Sequence, residues 1–202
     1  DETLANGDET GPLHGVPFTV KDSIAIEGVI STAGTAGRAS HVASADATVV
    51  ARMRAAGAIP LAATNVPELC LGAETDNLVY GRTNNPYDLS RTPGGSSGGE
   101  AALIASGGSP LGLGSDVGGS IRQPAHFCGI AGLKPTTGRV PSTGHWVPLI
   151  GLLGPMFSIG PMARFVEDLE LALPILCGPD GRDPYAAPVP LGTPCEVDLS
   201  SL

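Results

Sequence analysis

Residues 91–122 read RTPGGSSGGEAALIASGGSPLGLGSDVGGSIR. Two glycine-serine clusters, Gly94-Gly95-Ser96-Ser97-Gly98-Gly99 and Gly118-Gly119-Ser120, bracket a short Ala-rich segment and a Gly/Leu run. Glycine lacks a Cβ, so the backbone there can approach a ligand closely or adopt positive φ. A serine among glycines has its hydroxyl exposed beside N–H groups, the raw material of an anion site or an oxyanion hole. Between the clusters, Glu100–Ser106 fits a helix beginning on the glycines, and Leu111–Asp116 fits a short buried strand.

Upstream, residues 1–14 read as loop. Gly15–Val20 then looks like a short strand, with Pro17 where no N–H is needed. Lys21 and Asp22 stand at its end, where site residues of α/β sheets collect. A Gly/Ser/Thr-rich loop covers 28–45. Asp46 reads as the N-cap of a helix whose buried face is Val49, Val50, Met53 and Ala56, with Gly57 as C-cap. Ala58–Ala63 reads as a buried strand, and a helix followed by a strand suggests a mixed or parallel sheet under helical cover. Residues 65–75 are expected to be helical and 76–97 a long functional loop.

Downstream, Ile121–Cys128 is at most a short helix interrupted by Pro124. Ile130–Lys134 fits another strand, and 135–162 reads as loop on its many prolines. Glu167–Leu176 carries Leu169, Leu173 and Leu176 at helical spacing, with Pro174 expected to bend or end it. Beyond Gly178 the sequence is Pro-rich and polar.

The 202 residues are 42% hydrophobic and 15% charged, enough for one domain with a core and too apolar for disorder. A net charge of −9, with 11 scattered Lys and Arg, makes nucleic acid or an anionic membrane a poor partner. No apolar run is long enough to span a bilayer. Cys70, Cys128, Cys177 and Cys195 show neither a CxxC pair nor metal spacing, so free thiols and a cytoplasmic location are expected.

Several chemistries fail on pattern. There is no P-loop, and Gly118-Gly119-Ser120-Ile121-Arg122 is not the GxSxG of a nucleophile elbow. The Gly112/Gly114/Gly118 spacing mimics a dinucleotide loop, but Pro124 arrives too soon for the long helix such a site needs. His14, His41, His126 and His145 show no recognisable triad spacing and read as surface or packed imidazoles. A lysine can serve as base if it is desolvated. Lys21 and Lys134 each follow an apolar strand, and spacing does not choose between them.

Four stretches in order, GVPFTVKDS around Lys21, PGGSSGGE at 93–100, GSDVGGSIRQPA at 114–125 and GLKPTTGRVP at 132–141, resemble the amidase signature family. The likeness runs from about Gly11 to Pro190. The segment from Cys128 to Thr136 is also similar to the branch with fatty acid amide hydrolases and their bacterial relatives. The resemblance implies a three-layer α/β/α fold around a mixed central sheet, with residues 1–202 forming one domain. Family members run to more than twice this length. The chain is therefore expected to be truncated at both ends and, taken alone, to expose apolar strand edges.

By the same resemblance Ser120 is the nucleophile, Lys21 the base, and Ser96 the bridging serine with an unusual cis peptide. Ser97 is the nearby rival for the bridging role. The N–H groups of Val117, Gly118, Gly119 and Ser120 would hold the oxyanion. Asp116 and Arg122 would orient the Ser120 loop, with Lys134 and Arg139 in similar structural roles. The implied activity is hydrolysis of a small-molecule amide through an acyl-enzyme, without metal or cofactor; a homodimer is left open. Two other classes carry the same motifs: the A subunit of a glutamyl-tRNA amidotransferase, and a relative that binds a ligand without catalysis.

Overall fold

The computed structural model describes residues 2–7, 10–148 and 151–192. Its centre is a five-stranded mixed sheet. The strands are β1 (Pro17–Lys21), β2 (Ile59–Thr64), β3 (Leu111–Asp116), β4 (Ala131–Gly132) and β5 (Ser158–Ala163), in spatial order β2-β1-β3-β5-β4. β1 runs parallel to β2 and β3, and β5 runs antiparallel to β3 and β4. The three parallel strands thus end at one edge, at Lys21, Thr64 and Asp116.

Alternation along β1 sets the layers. Phe18 and Val20 join one hydrophobic cluster with Val49, Val50 and Met53 of α2 (Thr48–Ala55) and Leu169, Ala172 and Leu176 of α5 (Val166–Leu176). Thr19 and Lys21 point to the opposite face, where Thr19 meets Glu100 of α3 (Gly98–Ala105). There α3 packs with α4 (Arg122–Cys128) in a second cluster through Ala101, Ile104, Ile121 and Ala125. Helices cover both faces, which gives the three-layer α/β architecture. Gly112 of β3 makes the α3 side tight: a Cβ there would collide with the Glu100 carboxylate.

Several sequence expectations are corrected. Residues 2–6 form a short helix, α1 (Glu2–Asn6), within the stretch that reads as loop. The helical face of α2 is as expected, but Asp46 does not cap it. The N-cap is Ala47, and Asp46 instead accepts from the Glu27 N–H at 2.7 Å and pairs with Arg54 at 2.8 Å. β2 forms where expected, yet as an edge strand with Ile59 and Leu61 more than half exposed. Residues 65–75 hold only a 3₁₀ turn at Glu68–Cys70, in which Leu69 and Cys70 take positive φ. The strand at 130–134 shrinks to Ala131–Gly132.

Proline misleads twice. α4 runs through Pro124, because the residue lies in the first turn, where backbone N–H groups have no intrahelical partner. β5 lies inside the stretch that reads as loop except for its last residue, Ala163, and all six of its residues are buried. A proline in a central strand normally argues against one. Here β4 is so short that Pro161 supplies only its carbonyl on that side, accepting from the Leu133 N–H at 3.0 Å. α5 likewise continues past Pro174 to Leu176.

Cys70, Cys128 and Cys177 are free thiols, and Cys195 lies outside the described residues. Among the described residues no helix is long and apolar enough to cross a membrane. In β5, a Cβ at Gly160 would collide with the Leu133 carbonyl oxygen and come within 2.7 Å of Pro135. Gly160→Ala should therefore cost about 1–3 kcal/mol of stability, seen as a lower urea midpoint. An unchanged midpoint would mean that the residue 133–135 backbone yields freely.

Candidate active site

The edge where β1, β2 and β3 end collects the sequence-nominated residues. Lys21 is fully buried, and its Nζ lies 2.6 Å from Ser96 Oγ, 3.0 Å from Ser115 Oγ and 3.3 Å from the Ser115 carbonyl. Burial lowers its pKa from the ordinary lysine value, with Cys70, Asp116 and Glu100 pulling the other way. The Gly95–Ser96 peptide is cis, as is Trp146–Val147. Ser97 Oγ lies between strand and helix, donating to the Ser115 carbonyl at 3.3 Å and accepting from the Ser115 N–H at 3.4 Å. It touches the end of β3 and not Lys21.

The two glycine-serine clusters are tied by their backbones. Pro124 has no N–H for the carbonyl four residues back, that of Ser120, and the Ser97 N–H takes this oxygen at 3.1 Å. The Gly95 N–H reaches Gln123 Oε1 at 3.3 Å. Asp116 then shapes the turn. Its carboxylate accepts from the N–H of Gly119 at 2.8 Å, Ile121 at 3.0 Å and Arg122 at 3.3 Å, and from the Arg122 guanidinium at 3.0 Å through both Nε and Nη2. Burial opposes its ionisation, but these donors outweigh burial and hold its pKa at about 2. Gly119 takes a φ of +123°, which no side-chain-bearing residue adopts readily.

This turn leaves Ser120 half-buried between two hollows. One, of about 100 Å³, is apolar and lined by Leu69, Leu71, Val117, Val147, Leu153 and Phe157 beside Ser96, Ser115 and His145. The other is an open groove of about 420 Å³ along residues 70–73 and 117–120. Among the described residues, the N–H groups of Val117, Gly118 and Ser120 donate to no protein acceptor, whereas that of Gly119 is engaged by Asp116.

The other candidates stand elsewhere. Asp22 is buried and accepts from the Thr32 N–H at 3.0 and 3.1 Å and from its hydroxyl, fixing the loop after β1. Lys134 Nζ faces Ser158 Oγ at 3.3 Å, and Arg139 donates to the carbonyls of Val189 and Pro190. Lys21, not Lys134, is thus the lysine beside the serines. Of the four histidines only His145 borders the hollow at Ser96 and Ser120.

Sequence reasoning misses Ser115, His145 and Glu100 as parts of this environment. By sequence Glu100 is only a helix start. It is fully buried, accepting from Thr19 Oγ1 at 2.7 Å and Thr64 Oγ1 at 2.8 Å. Burial raises its pKa to about 8, against those hydroxyls and the charge of Lys21. Its place inside PGGSSGGE is the available signal; nothing marks it as facing inward.

The amidase family model matches residues 1–201, and the chain belongs to that family. It is 48% identical over 168 residues to fatty-acid amide hydrolase 2 of Homo sapiens, covering 83% of this chain and 32% of that protein. It is 44% identical over 189 residues to the A subunit of glutamyl-tRNA(Gln) amidotransferase from Carboxydothermus hydrogenoformans, covering 94% of this chain and 38% of that one. The native peptide amidase of Stenotrophomonas maltophilia superposes with a TM-score of 0.87 at 34% identity, over 95% of this chain and 39% of that structure. The chain therefore spans about two fifths or less of the length of these relatives.

The Glu100 carboxyl gives a pH test. Its folded pKa, about 8, lies above its ordinary 4.5, so its contribution to stability is full below pH 4.5 and is lost as pH rises through about 8. Glu100→Gln removes that loss. Between pH 4.5 and 8 the parent's stability in urea melts should fall more steeply than the variant's, by at most about 1.4 kcal/mol per pH unit. Parallel curves would contradict the assignment.

Proposed function

We propose that the chain carries the catalytic centre of an amide hydrolase working through a Ser120–Ser96–Lys21 relay. The observation that carries this reading is the 2.6 Å contact between the buried Lys21 Nζ and Ser96 Oγ beside a half-exposed Ser120. Burial disfavours the ammonium form, so the amine has a lone pair to offer. Neutral Lys21 takes the Ser96 hydroxyl proton as Ser96 takes that of Ser120. Ser120 Oγ then bonds to the amide carbonyl carbon, and the carbonyl π electrons move to oxygen.

The N–H groups of Val117, Gly118 and Ser120 receive that oxyanion. The Gly119 N–H, expected with them, is spent on Asp116. Such donors are typically worth about 3–4 kcal/mol each. As the C–N bond breaks, the proton returns through Ser96 to the leaving nitrogen, which an amine requires and an alcohol scarcely does. Water then cleaves the acyl ester by the same relay. Ser97, Asp116 and Arg122 hold the two clusters and the turn in register and take no proton.

The substrate class is a small-molecule amide whose acyl part enters the apolar hollow and whose amine lies along the open groove. A second reading, glutamine-dependent ammonia transfer, is favoured by the likeness to the A subunit of glutamyl-tRNA(Gln) amidotransferase over 94% of the chain. Ammonia released to solution, rather than passed to an acceptor, separates the first from the second.

In the intact protein, Ser120→Ala should lower kcat/KM for amide hydrolysis by at least about 10³-fold, and a fluorophosphonate should label Ser120 in the parent. Lys21→Ala should remove from the pH–rate profile the rising limb, the one set by a group that must lose its proton before turnover. Parent-like turnover in the serine variant would sink the reading, and an unchanged profile would remove lysine as base.

A further inference from the structure

The proposed relay leaves Ser115 and His145 unemployed, although Ser115 touches the lysine through both its side chain and its carbonyl. Their role follows from hydrogen-bond direction and rests on the reading of Lys21 as base. His145 Nδ1 lies 3.0 Å from the Val147 carbonyl, which can only accept, so Nδ1 carries the proton. Nε2 is therefore an acceptor with a single lone pair. It faces Ser115 Oγ and Ser23 Oγ, each at 3.0 Å, and the two hydroxyls donate to that one lone pair in a three-centre arrangement.

With its proton committed to His145, Ser115 Oγ can meet Lys21 only as an acceptor. The Ser115 carbonyl is an acceptor by nature. A neutral amine has two N–H groups and one lone pair, and these two oxygens take both N–H groups. The lone pair is left for Ser96 Oγ, the nearest contact at 2.6 Å, with the Cys70 thiol as the other polar group beside the amine.

The geometry points to His145 as a positioning residue for the general base: by accepting the Ser115 proton it reserves the Lys21 lone pair for Ser96. The ring is fixed for this task. It packs on Phe157 with centroids 4.7 Å apart, and the backbone on either side is pinned by His145 N–H to Ser142 O at 2.9 Å and Trp146 N–H to Ser23 O at 2.7 Å. Burial lowers the imidazole pKa to about 3, consistent with a permanently neutral acceptor. Without that acceptor the Ser115 hydroxyl can turn to the lysine and compete with Ser96 for its lone pair.

The test is a double-mutant cycle read by the rate of Ser120 labelling with a fluorophosphonate in the intact protein. His145→Phe keeps a ring and removes the acceptor, and should slow labelling by about 10²-fold. His145→Gln, which offers a carboxamide oxygen near the Nε2 position, should restore most of the rate. In a Ser115→Ala background, where no hydroxyl competes, His145→Phe should change the rate by no more than about twofold. An equal loss in both backgrounds would make His145 merely structural, and a parental rate in folded His145→Phe would overturn the inference outright. Imidazole ¹⁵N shifts of the unsubstituted protein give an answer that needs no variant: a protonated Nε2 near neutral pH would also overturn it. Failure of the parent itself to label at Ser120 would instead sink the underlying assignment of the nucleophile.

Discussion

An amine buried among hydroxyls is the constraint on which the rest of the structure depends. Holding an unpaired ammonium in a protein interior costs several kcal/mol, and no carboxylate hydrogen-bonds Lys21. Its shortest Nζ contacts are oxygens of Ser96 and Ser115, with the Cys70 thiol also beside it, and the nearby Glu100 is itself pushed by burial toward its neutral acid. Burial therefore favours the uncharged form of both. Polar groups at this depth persist only when hydrogen-bonded, and Thr19, Thr64, Ser96, Ser97 and Ser115 provide those bonds. Among the described residues no buried side-chain polar atom is left without a partner.

That constraint explains the glycines. Glu100 can occupy the space beside Thr19 and Thr64 because Gly112 of β3 has no Cβ to fill it. The clusters around Ser96 and Ser120 are joined by a backbone bond from Ser97 to Ser120, available because Pro124 leaves the Ser120 carbonyl unclaimed. Asp116 gathers three N–H groups and a guanidinium, so the turn bearing Ser120 is held by a charge-assisted network rather than by side-chain packing. The same network takes the Gly119 N–H, so the free donors at the turn are those of its neighbours.

The arrangement also separates the groups of the proposed relay from the walls of the two hollows. Lys21 and the Ser120 turn lie at the ends of β1 and β3, and Ser96 just before α3, all held against the central sheet. The apolar hollow and the groove are bordered by segments outside strands and helices, at 69–73 and 147–153. Rigid elements fix reacting groups well, while loops can vary in shape around them. A relative named as a hydrolase and one named as part of an amidotransferase are about equally similar to this chain, which fits a shared centre with divergent surroundings.

Sequence by itself determined much of the frame: the strand at 111–116, helices near 48–55, 98–105 and 166–176, and, through four ordered motifs, the nomination of Lys21, Ser96 and Ser120. Those features are local. A strand's alternation, a helix's buried face and a glycine-serine cluster are written within a few residues of each other. What only tertiary structure decided is non-local. β5 is hidden in the sequence because its prolines and glycines argue against a strand, and it forms because β3 and β4 supply partners that let Pro161 dispense with an N–H. Spacing alone did not separate Lys21 from Lys134, and the sheet order brings Lys21, not Lys134, beside Ser96 and Ser115. His145 stands far from Lys21 in the sequence, and nothing in its neighbourhood marks it. Its link to the lysine exists only because the loop after β4 folds back over the end of β3, so that one carbonyl fixes which ring nitrogen carries the proton.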